Sequence, residues 1–342
     1  MTGESAKGLR EAMLYESADS VVNCRLCNHH CIIKDGARGI CGVRVNRGGT
    51  LYTLAYGRLI ARHVDPIEKK PLFHFQPGTM SYSIATVGCN FRCGFCQNWQ
   101  ISQAERGGAM LPGEKESPEE IVRNAVRNRC ASIAYTYTEP TIFFEYAYDT
   151  AVLAKEEGLT NVFVTNGYQT AETVEKMRGV IDAANVDLKS FSEEFYVKLC
   201  KARLKPVLET IRNMYEGGIF IEVTTLVIPG KNDSDAELRQ IAEFLVGVSP
   251  DIPWHVSAFH PDYEMLDGHM TPVERLLRAM EIGKEAGVKY VYAGNVAGAG
   301  LEDTHCPACG KTVIGRRGFF VGERHLDGKR CGYCGEELNL VV

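Results

Sequence analysis

The chain has 342 residues, a net charge of −5 and 45% hydrophobic residues, enough for one large domain with small appendages. It contains no long run of Lys or Arg, so we do not expect nucleic acid as its main partner. The first residues, Met1–Arg10, are polar, and no stretch reaches the roughly 18 apolar residues of a membrane span. We therefore expect a cytoplasmic protein with no membrane partner.

Cysteine is the residue type that most needs an explanation. The chain has 13 cysteines, and most of them fall into three groups. The N-terminal group is Cys24, Cys27, Cys31 and Cys41; the central group is Cys89, Cys93 and Cys96; the C-terminal group is Cys306, Cys309, Cys331 and Cys334. Paired C-x-x-C spacing in a reducing compartment favours metals over disulfides. The remaining two, Cys130 and Cys200, lie in predicted helices and are interpreted as small buried apolar residues.

Residues 1–80 are predicted to form an N-terminal module with a hairpin. A short helix is predicted from Ala6 to Glu16, and alternating apolar residues over Leu51–Tyr56 predict a strand or hairpin. The N-terminal group, with spacing C-x2-C-x3-C-x9-C, could bind zinc or a second iron–sulfur cluster. A closed four-thiolate site in a Gly-rich loop is usually structural, which favours zinc, although the spacing matches neither common ferredoxin run.

The next segment, Asp65–Phe75, mixes charged and aromatic residues. It could help to cover a cofactor on the central cysteines, or it could serve packing alone.

Residues 81–300 alternate predicted strands with predicted helices. The strands are predicted at Tyr82–Val87, Ser132–Tyr137, Asn161–Thr165, Ala184–Leu188, Phe220–Val227, Trp254–Phe259 and Lys289–Tyr292. The clearest helices begin near Pro118, Ile142, Ser234 and Pro272, with Ser117, Ser234 and Thr271 as predicted N-caps. This alternation implies parallel strands, and six or seven such units indicate a barrel-like sheet, closed or open. Active sites of such sheets lie at the carboxyl ends of the strands.

The central group follows the first predicted barrel strand, with spacing C-x3-C-x2-C. A cubane cluster has four irons and ordinarily takes four thiolates, so three thiolates leave one iron open. S-adenosylmethionine can fill that position through its amino and carboxylate groups, and an electron from the cluster can then cleave it to a carbon radical. A zinc knuckle with a distant fourth ligand is the alternative, but zinc ligands usually use shorter, paired spacings. With Phe95 directly before the third cysteine, the pattern resembles the radical S-adenosylmethionine (SAM) superfamily.

Polar residues also stand at the ends of four predicted barrel strands. Glu139 could grip the ammonium of a sulfonium ligand, and Asp187 and Lys189 could bind its ribose and carboxylate; Asn166 and His255 are further candidates. Each has a structural alternative: a helix N-terminal Glu, a rim ion pair, an Asn-Gly turn or a core histidine. Together, at the ends of parallel strands, they favour a ligand site.

Residues 301–342 are predicted to form a C-terminal module with two C-x2-C knuckles, each followed by Gly. Four-thiolate zinc is the expected occupant, with rubredoxin-type iron as the alternative. The segment is too short for a core of its own and would need the metal to hold it.

The cysteine-rich segments and strand ends together resemble one family. The matching segments are Cys24–Arg44, Asp65–Phe75, Gly88–Gln103, Tyr135–Pro140, Val164–Tyr168, Leu226–Asn232, Pro253–Phe259 and the closing knuckles. They resemble the AmmeMemoRadiSam system radical SAM enzymes, which are related to pyruvate formate-lyase activating enzymes. The resemblance implies an α/β fold with a partial (β/α)6 barrel, a [4Fe-4S] cluster on the central group and S-adenosylmethionine as co-substrate. The expected ligand contacts are Phe95, Gln97, Thr138, Glu139, Asn166, Asp187, Lys189 and His255.

The chain departs from the activating enzymes at two points. Their Gly-Gly-Glu-Pro motif appears here as Tyr137-Thr138-Glu139-Pro140, so the Glu-Pro is retained and the glycines are not. Their ferredoxin-like insertion is absent, so installation of a glycyl radical is an analogy only. The family name implies Memo-like and AMMECR1-like proteins as candidate partners, and the chemistry implies an electron donor such as flavodoxin or ferredoxin.

Two functional hypotheses follow from the sequence. The first is a radical enzyme that cleaves S-adenosylmethionine reductively to methionine and a 5′-deoxyadenosyl radical, which takes hydrogen from an unknown substrate that could be a protein. The second is a non-enzymatic, metal-dependent module for RNA or protein, with three structural zinc sites. The negative net charge and the polar strand ends speak against the second.

Overall fold

The computed structural model describes residues 9–104, 111–296 and 300–342. Its N-terminal segment consists of short antiparallel strands. They are β1 (Arg10–Glu11), β2 (Tyr15–Ala18), β3 (Val21–Cys24), β4 (Ile32–Ile33), β5 (Arg44–Arg47), β6 (Thr50–Thr53) and β7 (Arg58–Leu59). β5 and β6 form the predicted hairpin, with β1 on the other side of β6. The helix predicted from Ala6 to Glu16 is wrong over its described part, because residues 10–11 and 15–18 pair as strands; residues 6–8 lie outside the described residues.

One eight-stranded sheet dominates the fold. Its strands are β8 (Ala61–Pro66), β9 (Met80–Ala85), β11 (Ser132–Tyr135), β12 (Thr160–Thr165), β13 (Ala183–Asp187), β14 (Phe220–Val227), β15 (Trp254–Ala258) and β16 (Val291–Gly294), while the short β10 (Glu114–Lys115) pairs with β7. The strands lie side by side in chain order, parallel from β9 to β16, with β8 antiparallel to β9 at the edge. All seven predicted strands are therefore present in a mostly parallel sheet. β8 joins this sheet although it falls within the predicted module 1–80, and the predicted domain boundaries stay a prediction.

Eight helices are present in the described ranges, most of them between consecutive strands. They are α1 (Trp99–Ser102), α2 (Pro118–Arg127), α3 (Phe144–Glu156), α4 (Ala171–Met177), α5 (Glu193–Phe195), α6 (Leu204–Glu216), α7 (Asp235–Val248) and α8 (Val273–Ala286). Short 3-10 turns cover Ile67–Lys69 and Pro140–Phe143, and a π-helical turn covers Tyr196–Cys200. Within these ranges, no helix has the length and apolar character needed to cross a membrane.

Two of the three predicted N-caps are confirmed. Ser117 forms a capping box with Glu120, and the Ser234 side chain accepts a hydrogen bond from the Glu237 N–H. Thr271 is not a cap, because α8 begins at Val273 after Pro272. The Thr271 hydroxyl instead accepts from the Phe259 N–H at 2.8 Å and donates to a β14 carbonyl at 2.6 Å. It therefore ties the ends of β14 and β15 together.

The two cysteines outside the groups are buried, as predicted. Cys200 ends the π-helical turn, whereas Cys130 lies just after α2 rather than within it. Both positions are consistent with small apolar residues that fill the core.

The charged and aromatic segment Asp65–Phe75 packs against the amino-terminal half of the sheet. The Glu222 carboxylate of β14 accepts from the N–H groups of Phe73 and His74, at 3.0 and 2.7 Å. Asn185 of β13 donates to the Pro71 carbonyl at 2.8 Å. These contacts lie away from the central cysteines, which follow the carboxyl end of β9, and they show packing; a role of this segment in covering a cofactor stays a prediction.

The C-terminal segment forms small antiparallel sheets beside the main one. Its strands are β17 (Thr304–His305), β18 (Thr312–Arg317), β19 (Phe320–Arg324), β20 (Leu326–Asp327) and β21 (Arg330–Cys331). Its buried apolar cluster consists of Cys306, Val313, Ile314, Cys331, Leu338 and Leu340. The Arg316 side chain leaves this segment and reaches the Phe73 carbonyl at 2.7 Å. The tail is therefore anchored at the amino-terminal end of the main sheet.

Candidate active site

The loop with the central cysteines leaves the carboxyl end of β9 through Gly88. This residue has φ +105°, a left-handed conformation that favours glycine. A Cβ there would lie 3.1 Å from Val43 Cγ1 and 3.3 Å from the Cys41 carbonyl oxygen. Glycine therefore lets the loop approach the N-terminal segment closely.

The three sulfur atoms of the central group have few hydrogen-bond donors. The Cys89 Sγ accepts from the Phe91 N–H at 3.3 Å, and the Cys96 Sγ lies 3.1 Å from the Ser102 hydroxyl. Burial raises the pKa of the Cys89 and Cys96 thiols, so the thiolates would need a bound cation. In the described part of the chain, these three sulfurs do not all lie within 4.8 Å of one another, so they do not form a compact site for one small ion. A donor set of three thiols fits a cluster.

Unpartnered amide groups surround this loop. The Asn166 Nδ2 donates to Asn90 Oδ1 at 2.7 Å, which brings the end of β12 to the cysteine loop. The Asn90 Nδ2, the Asn166 Oδ1 and the Gln97 Nε2 are buried and have no hydrogen-bond partner among the described residues. Buried polar atoms are rarely left in this state, so these three atoms fit the polar groups of a ligand.

Glu139, the predicted ammonium contact, is almost fully buried. Its Oε1 accepts from the Thr141 N–H and the Thr165 hydroxyl at 3.0 and 2.7 Å, and its Oε2 accepts from the Asn166 N–H at 2.8 Å. Burial raises the pKa of this carboxyl group despite these donors. Glu139 thus ties the ends of β11 and β12 together, and a contact with a ligand stays a prediction.

The backbone at Tyr137 explains how the chain departs from the Gly-Gly-Glu-Pro motif. Tyr137 has φ +63°, the left-handed conformation that glycine adopts most readily. Its hydroxyl donates to the Asp65 carboxylate, and the Lys70 ammonium lies 4.6 Å from its ring centroid. The side chain therefore holds the conformation that a glycine would supply by itself. The next residue, Thr138, donates its hydroxyl to the Thr86 carbonyl at 2.8 Å.

Asp187 and Lys189 form an ion pair beside the cysteine loop. The Lys189 Nζ lies 2.8 Å from Asp187 Oδ2 and 5.9 Å from the centroid of the Phe95 ring. Burial lowers the pKa of Lys189, but the attraction of Asp187 and the neighbouring thiols outweighs it, and the net pKa lies well above the ordinary value. The structure therefore brings these two residues to the residue that precedes the third cysteine.

His255 lies deeper in the sheet than the other candidates. Its Nε2 is 2.7 Å from the Glu222 carboxylate, and its ring stacks on Tyr292 with centroids 5.2 Å apart. The Phe73 ring contacts it edge-on at 4.7 Å. The sequence analysis missed Glu222, although a carboxylate within the otherwise uncharged strand Phe220–Val227 was a visible signal. The predicted ligand contact of His255 stays a prediction.

The C-terminal group is compact. Its sulfur atoms all lie within 4.8 Å of one another, with 3.6 Å between Cys306 and Cys334 and 3.8 Å between Cys309 and Cys331. A tetrahedral zinc ion with bonds of about 2.3 Å would separate its sulfur ligands by about 3.8 Å. The four thiols therefore fit a single metal ion.

Comparison with known proteins identifies the family. A model of the radical SAM superfamily matches residues 83–245, the range that holds the central cysteines. An uncharacterized protein of Methanocaldococcus jannaschii is 46% identical over 338 residues, which cover 98% of this chain and 100% of that protein. The chain contains a radical SAM domain. A pyruvate formate-lyase-activating enzyme of Listeria monocytogenes is 20% identical over 226 residues, 59% of this chain and 87% of that enzyme.

A solved structure supports the same fold. The radical SAM methyltransferase from Sphaerobacter thermophilus matches with a TM-score of 0.50 and 19% identity, over 64% of this chain and 67% of that one. At this level the likeness concerns the fold alone. The superfamily implies a [4Fe-4S] cluster and S-adenosylmethionine.

Proposed function

We propose that this protein is a radical SAM enzyme in which Cys89, Cys93 and Cys96 hold a [4Fe-4S] cluster. The observation that carries the proposal is three thiols, one buried and two partly buried, at the carboxyl end of β9, beside amide atoms that have no hydrogen-bond partner among the described residues. Such a cluster supplies, when bound, the electron that cleaves S-adenosylmethionine to methionine and a 5′-deoxyadenosyl radical.

The chain's own residues bind and orient the co-substrate in this proposal. Lys189 exchanges its pairing with Asp187 for the ligand carboxylate, which leaves the Asp187 oxygens for the ribose hydroxyls. Asn90, Asn166 and Gln97 offer hydrogen bonds to the ligand's remaining polar groups. Phe95, within the cysteine loop, is buried and has its ring centroid 5.9 Å from the Lys189 Nζ, where the ring would limit access of water.

The substrate is proposed from the relatives. The Listeria enzyme is named for the activation of pyruvate formate-lyase, a protein, and we extend that class to this chain: a protein substrate attacked by hydrogen abstraction. We further propose membership of the AmmeMemoRadiSam system, with Memo-like and AMMECR1-like proteins as partners and a flavodoxin or ferredoxin as electron donor. The spacing of the C-terminal sulfurs supports structural zinc in that module. A cytoplasmic location completes the proposal.

Anaerobic incubation of the reconstituted protein with dithionite and S-adenosylmethionine tests the proposed activity. We expect 5′-deoxyadenosine in the wild type and in the control Cys130→Ala, and none when Cys89, Cys93 and Cys96 are all changed to Ala. Reductant-dependent 5′-deoxyadenosine in the triple variant would refute the assignment. A wild-type protein with three zinc ions, no labile iron and no product would instead favour the non-enzymatic module, which the comparisons do not favour.

A further inference from the structure

The four cysteines of the N-terminal group line one small, mostly enclosed cavity. Cys24 ends β3, Cys27 and Cys31 lie in the turn that follows, and Cys41 precedes β5. The cavity volume is only about 20 Å³. Its other walls are mainly apolar, from Leu26, Ile33 and Ile142. Four thiols around an apolar void are the surroundings of a metal cofactor rather than of solvent.

The spacing of the sulfur atoms argues against a single ion. In the same structure, the four sulfurs of the C-terminal group lie within 4.8 Å of one another, but no three of the N-terminal sulfurs do so, and all four cysteines are described. The three sulfurs of the central group, where a cubane cluster is expected, likewise do not all lie within 4.8 Å of one another. A zinc site with bonds of about 2.3 Å would require sulfurs about 3.8 Å apart. The N-terminal thiols are therefore not arranged as the four ligands of one compact zinc ion, which leaves a cluster as the metal group that four thiolates can hold.

A buried cation stands beside these thiols. The Arg44 Nη1 donates to the Cys24 Sγ at 3.2 Å, and its guanidinium also pairs with the Glu145 carboxylate, with both side chains almost completely buried. A donor of this kind stabilises the negative charge of a thiolate-ligated cluster, and hydrogen bonds to the sulfurs tune its reduction potential.

The site also adjoins the central cysteine loop. The Cys41 carbonyl oxygen would lie 3.3 Å from a Cβ at Gly88, the residue directly before Cys89. The His29 Nε2, on the wall of the cavity, is 2.8 Å from the Asn90 carbonyl oxygen. The two cysteine groups are therefore neighbours in the fold, although they are far apart in the chain.

We propose that Cys24, Cys27, Cys31 and Cys41 hold a second, redox-active [4Fe-4S] cluster with four thiolate ligands, which takes up one electron from a donor of the flavodoxin or ferredoxin class. No bond forms or breaks in this step; the cluster is reduced by one electron and the donor is oxidised by one. The site itself does not depend on the proposed function, since its ligands are separate from Cys89, Cys93 and Cys96.

Metal analysis of the full chain, reconstituted anaerobically, tests the proposal. We expect about eight iron and eight acid-labile sulfide per wild-type chain, with about one zinc. The variant with Cys89, Cys93 and Cys96 changed to Ala should keep about four iron, and dithionite should give it the electron paramagnetic resonance signal of a reduced cluster. The double variant Cys27→Ser and Cys31→Ser should also keep about four iron, which in this variant are those held by the central group.

The outcomes separate this proposal from the proposed function. About four iron and two zinc per wild-type chain, with no iron in the triple variant, would overturn the second cluster and leave the radical enzyme intact. Iron in the triple variant with no 5′-deoxyadenosine from the wild type would support the second cluster and count against the enzyme. The triple variant decides the question even if the double serine variant does not fold, because its changes lie outside the N-terminal group.

Discussion

Replacing Arg316 by Ala should destabilise the whole protein, not only the C-terminal tail. The Arg316 guanidinium is fully buried and donates to the carbonyls of Phe73 and Glu302 and to the Thr304 hydroxyl, at 2.7, 3.0 and 2.7 Å. Its Nε lies 3.7 Å from the equally buried Glu68 carboxylate. Removing one member of a buried pair usually costs about 3–5 kcal/mol, because the other charge is left uncompensated. We expect a loss of that size in the free energy of unfolding, measured by anaerobic urea denaturation.

The neighbouring Arg317→Ala is the matched control, since Arg317 is exposed; exposed changes usually stay within about 0.5 kcal/mol. Burial already raises the pKa of Glu68, and removal of the Arg316 charge should raise it further, so a lower pH favours the neutral carboxyl group in Arg316→Ala. The loss should therefore be smaller at pH 5, and adding Glu68→Gln should recover part of it at pH 8. Equal effects of Arg316→Ala and Arg317→Ala would refute the reasoning.

Two further predictions concern the candidate active site and the amino-terminal end of the main sheet. Lys189→Ala should weaken S-adenosylmethionine binding about tenfold or more and leave the iron content unchanged, because a hydrogen bond to a charged group contributes about 1.5–3 kcal/mol. Titration calorimetry checks this prediction, with the exposed Lys198→Ala as the control variant. Equal dissociation constants for the two variants would contradict the prediction. Burial lowers the pKa of His74 to about 4, so the stability that neutral His74 contributes is lost as pH falls from about 6.5 towards 4. Between pH 7 and pH 5, protonation of His74 should account for about 2 kcal/mol of the fall in the free energy of unfolding. His74→Gln should remove this contribution, and an unchanged pH dependence of stability in that variant would contradict the prediction.

Most of the fold could be predicted because its signals are local. Each parallel strand is a short apolar run bounded by turn residues. Ser117 and Ser234 mark the start of their helices as N-caps, which accept a hydrogen bond from a backbone N–H three residues further on. The N-terminal segment was harder. The stretch Ala6–Glu16 has helix-forming residues, but Arg10 and Glu11 pair with Thr53 and Tyr52, about forty residues away in the chain, and tertiary pairing overrides propensity.

The candidate site could be predicted only in part. The spacing of the central cysteines was enough to predict them as cluster ligands. The structure brings Asn166, Asp187 and Lys189 to the loop that holds these cysteines. What the sequence could not show is which polar groups find partners within the protein. Glu139 has four donors from its own chain, and His255 pairs with Glu222 from the neighbouring strand. Such pairings depend on the register between strands, which a single sequence does not reveal.

Contacts at the amino-terminal end of the main sheet change how the C-terminal tail is understood. On sequence grounds the tail needs a metal because it is too short for a core of its own. The structure adds a second anchor: Arg316 enters the main fold beside Phe73, while His74 lies 2.7 Å from the Asn339 carbonyl oxygen and 2.6 Å from the Tyr292 hydroxyl. Phe73 and His74 in turn donate to Glu222, the partner of His255. If the C-terminal cysteines hold a metal, its loss should therefore be felt at His255 through this chain of buried contacts, whereas the central cysteines lie at the opposite end of the strands and should be unaffected.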